Sequence, residues 1–295
     1  MLARRTAGCL IANNLTINQL MKINLMKLCS GSIIATALAC SNATTSHPDA
    51  QFAEFPSYNG DDLELVVNDN GTHFTLWSPQ AQAAEVNLYK TDSNTPSYKT
   101  LSMTKSDNGT WRASVDERLY GSFYTFRIKH NGKWLDETPG VWAKAVGTNG
   151  MRAAIIDMAE TNPEGWDSDR GPSIKHINDA VIYEMHHRDF SIHPSSGIVN
   201  KGKFIALTES GTRSSLGDKT GIDHLKELGV THIHILPSYD YNSVDESKLS
   251  ENRYNWGCDP FNYNVPEGSY STNPSDPKTR IREMKSMIKS LHDAG

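Results

Sequence analysis

The sequence of 295 residues predicts two unlike folds in series, a small antiparallel β-sandwich and then the start of a parallel α/β domain. Two observations lead to this prediction. Residues 52–157 contain short runs of alternating apolar and polar residues, separated by turn residues, which is typical of a sandwich. Residues 180–294 instead follow the order strand, helix, strand, helix, which is the pattern of a parallel sheet.

Four runs in the first region are strong strand candidates. Each alternates apolar and polar residues, and the four are His73–Trp77, Glu85–Tyr89, Trp111–Val115 and Phe123–Ile128. The dipeptides Asn108-Gly109 and Asn131-Gly132 favour tight hairpin turns, because Asn and Gly readily adopt left-handed backbone conformations. We therefore assign residues 51–160 to the sandwich and the breaker-rich residues 161–178 to a linker.

The second region, residues 179–295, has two predicted strands and two predicted helices. The strands are Ala180–Met185 and Thr231–Pro237, and the helices are Thr220–Leu228 and Pro277–Ala294. Gly229 is expected to end the first of these helices. Because parallel strands are normally covered on both faces, two strand–helix units predict an incomplete domain with an open sheet edge.

The N-terminal segment has the layout of a secretory signal. The first 48 residues contain no Asp or Glu, and a run of small and apolar residues, Leu28–Ala39, precedes Cys40. Residues 37–40 resemble a bacterial lipoprotein cleavage site, which predicts a signal over residues 1–40, lipidation of Cys40 and a tether over residues 41–50. Ordinary signal cleavage near the same point is the alternative. Either outcome predicts an exported protein of the cell envelope, lipid-anchored or secreted.

The charge distribution and hydropathy exclude some partners. The formal net charge is −5, and Lys and Arg are scattered instead of forming the basic patch that nucleic-acid binding requires. No apolar run reaches the length of a membrane-spanning helix. Contact with a membrane is therefore expected only through a lipid on Cys40, and the oligomeric state is left open.

One aromatic motif identifies a family. Residues 254–263 read YNWGCDPFNY and residues 266–274 read PEGSYSTNP, and together they resemble the signature of type I pullulanases of glycoside hydrolase family 13. Residues 181–191 resemble that family's first barrel strand, and residues 224–232 resemble its first helix and second strand. Residues 74–81 and 143–150 resemble the starch-binding-like module, an immunoglobulin-like sandwich of the carbohydrate-binding-module type, that precedes the barrel.

The resemblance implies a (β/α)₈ TIM barrel, of which residues 179–295 supply the first two βα units. Active sites of such barrels are built from the loops after the strands, and residues 237–277 form such a loop. Aromatic side chains there can pack on the flat faces of sugar rings, while carboxylates and amides bond the hydroxyls. The predicted substrate-binding residues are Asn255, Trp256, Cys258 and Asp259. Cys258 stands where the family has Tyr, and a thiol offers far less apolar area than a phenol ring.

The resemblance also implies a reaction, the hydrolysis of α-1,6-glucosidic linkages in pullulan, starch or glycogen. Retaining hydrolysis needs two carboxyl groups about 5 Å apart, and the family carries both on later strands. We therefore expect no catalytic residue in this chain and no hydrolysis by the chain alone. A preference for α-1,6 over α-1,4 linkages is left open.

A non-catalytic surface lipoprotein that binds α-glucans through its sandwich is the alternative function. Its candidate platforms are Trp77, Trp111, Trp134 and Trp142, although Trp77 is expected to lie in the core.

No cofactor or metal site is predicted. Five histidines invite a metal interpretation, but the family pattern explains two of them without metal, and the five are His186, His187, His193, His232 and His234. Calcium occurs in relatives, with supporting residues expected mainly outside this chain, so a calcium ion in the full-length enzyme is left open.

Overall fold

Nine antiparallel strands form the first half of the described structure. The computed structural model describes residues 55–295, so the predicted signal, the tether and Cys40 lie outside the described residues. The strands are β1 Glu64–Asn68, β2 Gly71–Trp77, β3 Ala83–Tyr89, β4 Lys99–Ser102, β5 Thr104–Lys105, β6 Thr110–Val115, β7 Phe123–His130, β8 Lys133–Trp134 and β9 Ala153–Ala154. One sheet has the order β1-β2-β6-β5, and the other has β4-β3-β7-β8 with β9 paired to β7.

The two sheets enclose an aromatic core. The rings of Phe74, Tyr124 and Phe126 meet edge to face, with centroids 5.3 to 6.4 Å apart, and each residue is at most 1% exposed. These residues occupy inward positions of β2 and β7 because side chains alternate between the two faces of a strand. The predicted strands and the sandwich are confirmed.

Two tryptophans lie elsewhere than their predicted positions. Trp111 is 6% exposed within the core, so it offers no platform to a ligand. Trp77 is 37% exposed, and the prediction that it lies in the core is wrong. It is the last residue of β2, beyond the packed part of the sandwich, and its indole Nε1 donates to the carbonyls of Pro56 at 3.2 Å and Asn108 at 3.0 Å.

Two parallel strands and three helices form the framework of the second half of the described residues. Strands β10 Ile182–Met185 and β11 His232–Ile235 pair in parallel. The helices are α1 His187–Ser191, α2 Gly221–Leu228 and α3 Pro277–Ala294. Gly229 ends α2 with a left-handed φ of 69°, as predicted, and the Asp276 side chain caps the start of α3.

Strands β10 and β11 are packed on only one side. Met185 joins a core with Phe204, Leu225 and Met287, whereas Ile182 on β10 is 65% exposed. Within residues 55–295, the outward side chains of these two strands are therefore left without a covering layer. None of the helices in this range combines the length and hydropathy that a bilayer crossing requires.

The connection from β11 to α3 is more ordered than the sequence suggested. It contains an antiparallel pair, β12 Tyr239–Tyr241 and β13 Pro260–Pro266, with a 3₁₀ helix, Glu246–Glu251, between the two strands. We refer to residues 237–277 as the β11–α3 loop. Shorter 3₁₀ turns occur at Asp107–Gly109, Thr148–Gly150, Met158–Thr161, Trp166–Ser168, Ile177–Asp179, Pro194–Ser196, Phe204–Thr208 and Gly268–Tyr270.

The predicted linker packs along α3. The Lys285 ammonium donates to Thr161 Oγ1 at 2.7 Å and to Asn162 Oδ1 at 2.6 Å. Further along the helix, His292 Nδ1 lies 2.7 Å from Asp169 Oδ2. The described residues accordingly belong to one compact unit that includes the sandwich and the parallel strands.

Candidate functional site

The aromatic motif of the β11–α3 loop folds back onto the carboxyl end of β10. His186 follows that strand directly, is 7% exposed, and places its Nε2 2.8 Å from the carbonyl oxygen of Asn255 and 3.0 Å from the hydroxyl of Tyr270. The Tyr254 ring lies 4.9 Å from the His186 ring, centroid to centroid, and the Trp256 ring lies 6.5 Å away. A buried histidine therefore fixes the motif at the end of a parallel strand.

The side chain of Asn255 organises the loop from inside. It is 8% exposed, and its Nδ2 donates to Asp259 Oδ1 and to Ser243 Oγ. Its Oδ1 accepts from the backbone N–H of Gly257 at 2.6 Å. These internal bonds occupy both ends of the amide, so Asn255 positions its neighbours. Its predicted direct contact with substrate stays a prediction.

Trp256 is the most accessible indole of the described residues, with 60% of its surface exposed. Its ring stands perpendicular to that of Tyr254, with centroids 5.1 Å apart, and this contact limits its rotation. Two further exposed aromatic residues lie on β13, Phe261 at 39% and Tyr263 at 67% exposure. The loop thus presents flat aromatic surfaces of the kind that pack on sugar rings.

Cys258 and Asp259 follow in the same turn. Cys258 is exposed, and it stands where the family motif has Tyr, so the phenol ring that would extend the aromatic surface is replaced by a small thiol. Asp259 Oδ1 accepts a hydrogen bond from Asn255 Nδ2, which fixes the orientation of the carboxylate. The structure therefore brings all four predicted substrate-binding residues into one turn.

A buried charge cluster lies beneath the loop, and no local pattern in the sequence predicted it. Arg280 of α3 is fully buried and donates to Asp240 at 3.3 Å and to Glu246 at 2.9 Å. Glu267 is also buried and accepts from the backbone N–H groups of Tyr241 and Ser269 at 3.0 and 2.9 Å. Because charged groups are poorly solvated there, burial raises the pKa of Asp240 to about 6 and that of Glu267 to about 8.

The three carboxyl groups of this cluster could in principle share a cation. Asp240, Glu246 and Glu267 are the only His, Cys, Asp or Glu side chains in the described residues that meet the distance requirement for a shared ion, with ligand atoms within 4.8 Å of one another. The Arg280 guanidinium already bonds two of them and supplies a positive charge at this position. The donor set is therefore that of an internal ion-pair network.

The cluster joins the β11–α3 loop to the sandwich. The backbone N–H of Asn149 donates to Glu246 Oε2 at 2.7 Å, and the backbone N–H of Glu246 donates to Asn149 Oδ1, also at 2.7 Å. Nearby, Asn262 Nδ2 donates to the carbonyl oxygen of Gly150 at 3.0 Å. The turn Thr148–Gly150 of the sandwich is thereby bonded to the base of the loop.

The histidines do not converge on a metal site. His187 is buried, its Nε2 lies 2.9 Å from Ser238 Oγ, and burial lowers its pKa to about 3, which keeps the ring neutral. His232 and His234 are exposed on β11, where His234 lies 3.2 Å from Glu184. His193 bonds Ser195 in its own turn. Within the described residues, no group of three ligands includes any of them.

Known proteins match this chain both over the sandwich alone and over most of its length. Residues 59–143 match the family described as Carbohydrate-binding module 48 (Isoamylase N-terminal domain). A pullulanase of Bacillus subtilis strain 168 is 42% identical over 238 residues, which is 81% of this chain and 32% of that protein. Pullulanase 1 of the Arabidopsis thaliana chloroplast is 28% identical and covers 80% of the chain. The chain thus spans about a third of the length of these curated relatives.

Solved structures agree with this comparison. The pullulanase of Paenibacillus barengoltzii, in complex with maltohexaose and α-cyclodextrin, has a TM-score of 0.81 and 53% identity, covering 84% of this chain and 38% of that one. The pullulanase of Bacillus acidopullulyticus has a TM-score of 0.78 and 41% identity, covering 83% of this chain and 30% of that one. The matched share of this chain is larger than the module match of residues 59–143, so the likeness extends beyond the sandwich.

Proposed function

Since the chain carries a carbohydrate-binding module 48 and matches the N-terminal portion of pullulanases of glycoside hydrolase family 13, we propose that the whole protein is an α-glucan debranching hydrolase. Its substrates are pullulan, starch or glycogen, and the bond it cleaves is the α-1,6-glucosidic linkage. The observation on which this proposal depends is the exposed indole of Trp256, which packs against the Tyr254 ring. The bond between His186 and the Asn255 carbonyl keeps this indole at the carboxyl end of β10.

The loop supplies part of the substrate-binding surface. Trp256 packs on a sugar ring face, and the carboxylate of Asp259, aimed by its bond to Asn255, accepts a hydrogen bond from a sugar hydroxyl. Cys258 occupies the position from which the family's Tyr would stack on the sugar next to the cleaved bond. A smaller contact area there weakens binding of the transition state.

Residues 179–295 supply the first two βα units of a (β/α)₈ barrel. Three observations support this part of the proposal: β10 and β11 pair in parallel, α2 connects them, and the motif lies at their carboxyl ends. A groove of about 610 Å³ beside β11 is lined by apolar side chains, including Ile233, Ile235 and Leu291. These side chains are only partly buried, so they leave apolar surface available for packing.

Asp189 on α1 and two carboxylates of the β11–α3 loop are each bonded to a neighbouring side chain. Asp189 pairs with Arg188 at 2.9 Å, Asp240 is bonded by Arg280, and Asp259 is bonded by Asn255. The resemblance to the family implies that the two carboxyl groups of retaining hydrolysis lie on later strands. We therefore also propose that the chain of 295 residues, by itself, binds glucan without hydrolysing it.

Export completes the proposal and rests on the sequence alone. Residues 1–40 act as a lipoprotein-type signal, Cys40 carries the lipid, and residues 41–50 tether the sandwich of residues 51–160 to the cell envelope. Residues 161–178 connect the sandwich to the barrel domain.

A reducing-sugar assay on pullulan tests the function. The whole protein should release maltotriose, because pullulan consists of maltotriose units joined by α-1,6 bonds, and the chain of 295 residues should release nothing. Unbranched amylose, which has only α-1,4 linkages, is the matched control substrate. Cleavage of amylose without cleavage of pullulan would contradict the assigned linkage, and hydrolysis by the 295-residue chain would contradict its assignment as non-catalytic.

A further inference from the structure

A cavity of about 300 Å³ lies where the segment after β10 meets the 3₁₀ helix Glu246–Glu251 of the β11–α3 loop. This volume is at the lower end of the usual range of small-molecule sites. Asn255 contributes to the cavity wall, but the exposed indole of Trp256 does not. The cavity is therefore distinct from the aromatic surface, although it shares one residue with the motif.

The wall of this cavity has an excess of positive charge. Five of its side chains are cationic and two are anionic, although the whole chain has a net charge of −5. The cationic side chains are Arg188, Lys201, Lys203, Lys248 and Arg253. Both carboxylates of the wall are already paired, Asp245 with Lys248 at 3.0 Å and Glu251 with Arg253 at 2.8 Å. The remaining three cations are therefore not balanced by the acidic groups of the wall.

Lys201 and Lys203 have hydrogen-bond donors to spare. The Lys201 ammonium donates to the carbonyl oxygen of Ile198, and the Lys203 ammonium donates to that of Ser269 at 2.8 Å. Because an ammonium group has three N–H donors, two on each lysine have no acceptor among the described residues. Gly202 between them has a left-handed φ of 72°, and its N–H donates to a buried serine hydroxyl at 2.7 Å. The backbone that carries both lysines is thus fixed.

Neither Lys201 nor Lys203 forms an ion pair with a carboxylate of the described residues. Glu209 attracts Lys201 from a greater distance, but its oxygens already accept from two backbone N–H groups at 2.7 and 2.8 Å. Burial lowers the pKa of Lys203, and the attraction of Glu283 and Glu267 does not offset this effect. A bound anion would therefore stabilise the charged form of Lys203.

Arg188 connects the cavity to the aromatic motif. Its two terminal nitrogens donate to Asp189 Oδ1 at 2.9 Å and to Asn252 Oδ1 at 2.7 Å, so the guanidinium is held in place. It lies over the ring of Tyr254, 5.7 Å from the centroid. Arg188 thus adds a fixed positive charge to the wall, while its donors are used within the protein.

We propose that this cavity binds a phosphate group, carried by a sugar phosphate or by orthophosphate, with the ammonium groups of Lys201 and Lys203 as its ligands. The two lysine charges match the dianionic form of phosphate, and ammonium groups with free donors are common phosphate ligands. The cavity is larger than a phosphate group, and apolar side chains also line it, so it has room for an attached sugar. The site does not depend on the proposed hydrolysis.

The test is a set of calorimetric titrations of the full chain with orthophosphate, glucose 6-phosphate and glucose. The titrations are made at about pH 7.5, above the second pKa of phosphate esters, and at constant ionic strength. Both phosphate compounds should bind with one-to-one stoichiometry, and glucose should bind at least about tenfold more weakly than glucose 6-phosphate. Tighter binding of glucose 6-phosphate than of orthophosphate identifies a sugar phosphate as the ligand. Equal or tighter binding of orthophosphate identifies the free ion.

Two variants locate the bound phosphate. Lys201→Gln and Lys203→Gln should each weaken its binding about tenfold or more, because each removes a charge-assisted hydrogen bond. Lys175→Gln is the matched control, since Lys175 is exposed and lies outside the cavity wall, and its affinity should stay within about twofold. Thermal unfolding of each variant establishes that it is folded. Lys201 bonds only a nearby carbonyl, so its variant tests the site even if Lys203→Gln fails to fold.

Three results would overturn the site. The first is the absence of saturable binding of both phosphate compounds up to about 10 mM. The second is an equal loss of affinity in Lys175→Gln, or no loss in the folded cavity variants, because binding would then lie elsewhere on the surface. The third is binding of glucose as tight as that of glucose 6-phosphate. Hydrolysis of pullulan is measured without phosphate, so each proposal can fail while the other stands.

Discussion

Replacing Arg280 by methionine tests the charge cluster that joins the loop, α3 and the sandwich. The guanidinium is fully buried and, among residues 55–295, is the only cation bonded to Asp240 and Glu246. Methionine has a similar length but leaves both carboxylates without their cation. Removing one partner of a buried ion pair costs about 3–5 kcal/mol, because the remaining charge is neither solvated nor paired.

The expected consequence is large for a domain of this size. A change of 1 kcal/mol shifts Tm by about 2–4 °C in domains of 150–250 residues, so Arg280→Met should lower Tm by about 6–20 °C. Urea unfolding at pH 8, followed by tryptophan fluorescence, gives the free energy directly. At pH 5 the loss should be smaller, because burial raises the pKa of Asp240 to about 6 and that carboxyl group can then take up a proton and become neutral.

Two further variants test whether the loss of the Arg280 charge causes the loss of stability. Arg282→Met changes an exposed arginine on the same helix and should alter the free energy of unfolding by no more than about 0.5 kcal/mol. The triple variant Arg280→Met, Asp240→Asn, Glu246→Gln removes the opposing charges and should recover part of the loss. A change for Arg280→Met as small as that of Arg282→Met, at pH 8, would refute the reasoning.

Three further predictions concern the loop and pH. Cys258→Tyr in the whole protein should raise kcat/KM on pullulan by restoring an aromatic contact, and an unchanged value in the reducing-sugar assay would contradict this role. Asn255→Ala should lower kcat/KM and should speed hydrogen exchange at the Gly257 amide, because that amide loses its acceptor. Ser247→Ala, an exposed control outside the motif, should leave both quantities unchanged. Glu267 binds a proton more tightly when folded, with its pKa raised to about 8, so its contribution to stability is complete below about pH 4.5 and is lost as the pH rises through 8. Between pH 5 and 8, the free energy of unfolding measured in urea should decline less steeply with pH for Glu267→Gln than for the unsubstituted protein. An equal slope would contradict the raised pKa of Glu267.

Local sequence patterns predicted most of the regular structure. The strands around Phe74 and Phe126 alternate clearly, and Asn108 and Asn131 both adopt the left-handed conformation expected of their turns. Helix α3 has the predicted bounds, Pro277–Ala294. These features depend on residues close together in the chain, so a single sequence is sufficient to predict them.

Contacts between distant residues were not predicted. The strands β12 and β13 pair across an intervening 3₁₀ helix, and nothing in their own residues indicates that partner. Arg280 looks like an ordinary surface position in an amphipathic helix, but the fold buries it against Asp240, which is 40 residues away. The aromatic motif was found because its spacing is distinctive, whereas the buried position of the Asn255 amide depends on Ser243 and Asp259 folding around it.

The bonds between Asn149 and Glu246 have a practical consequence for exchanging modules between related proteins. The carbohydrate-binding family match ends at residue 143, before the turn Thr148–Gly150 that contacts the loop. A graft made at residue 143 would keep this turn with the recipient barrel and remove the strands that hold it in place. A graft made after Met151 would move the turn together with its supporting sandwich, and its success would then depend on whether the recipient loop offers a carboxylate at the position of Glu246.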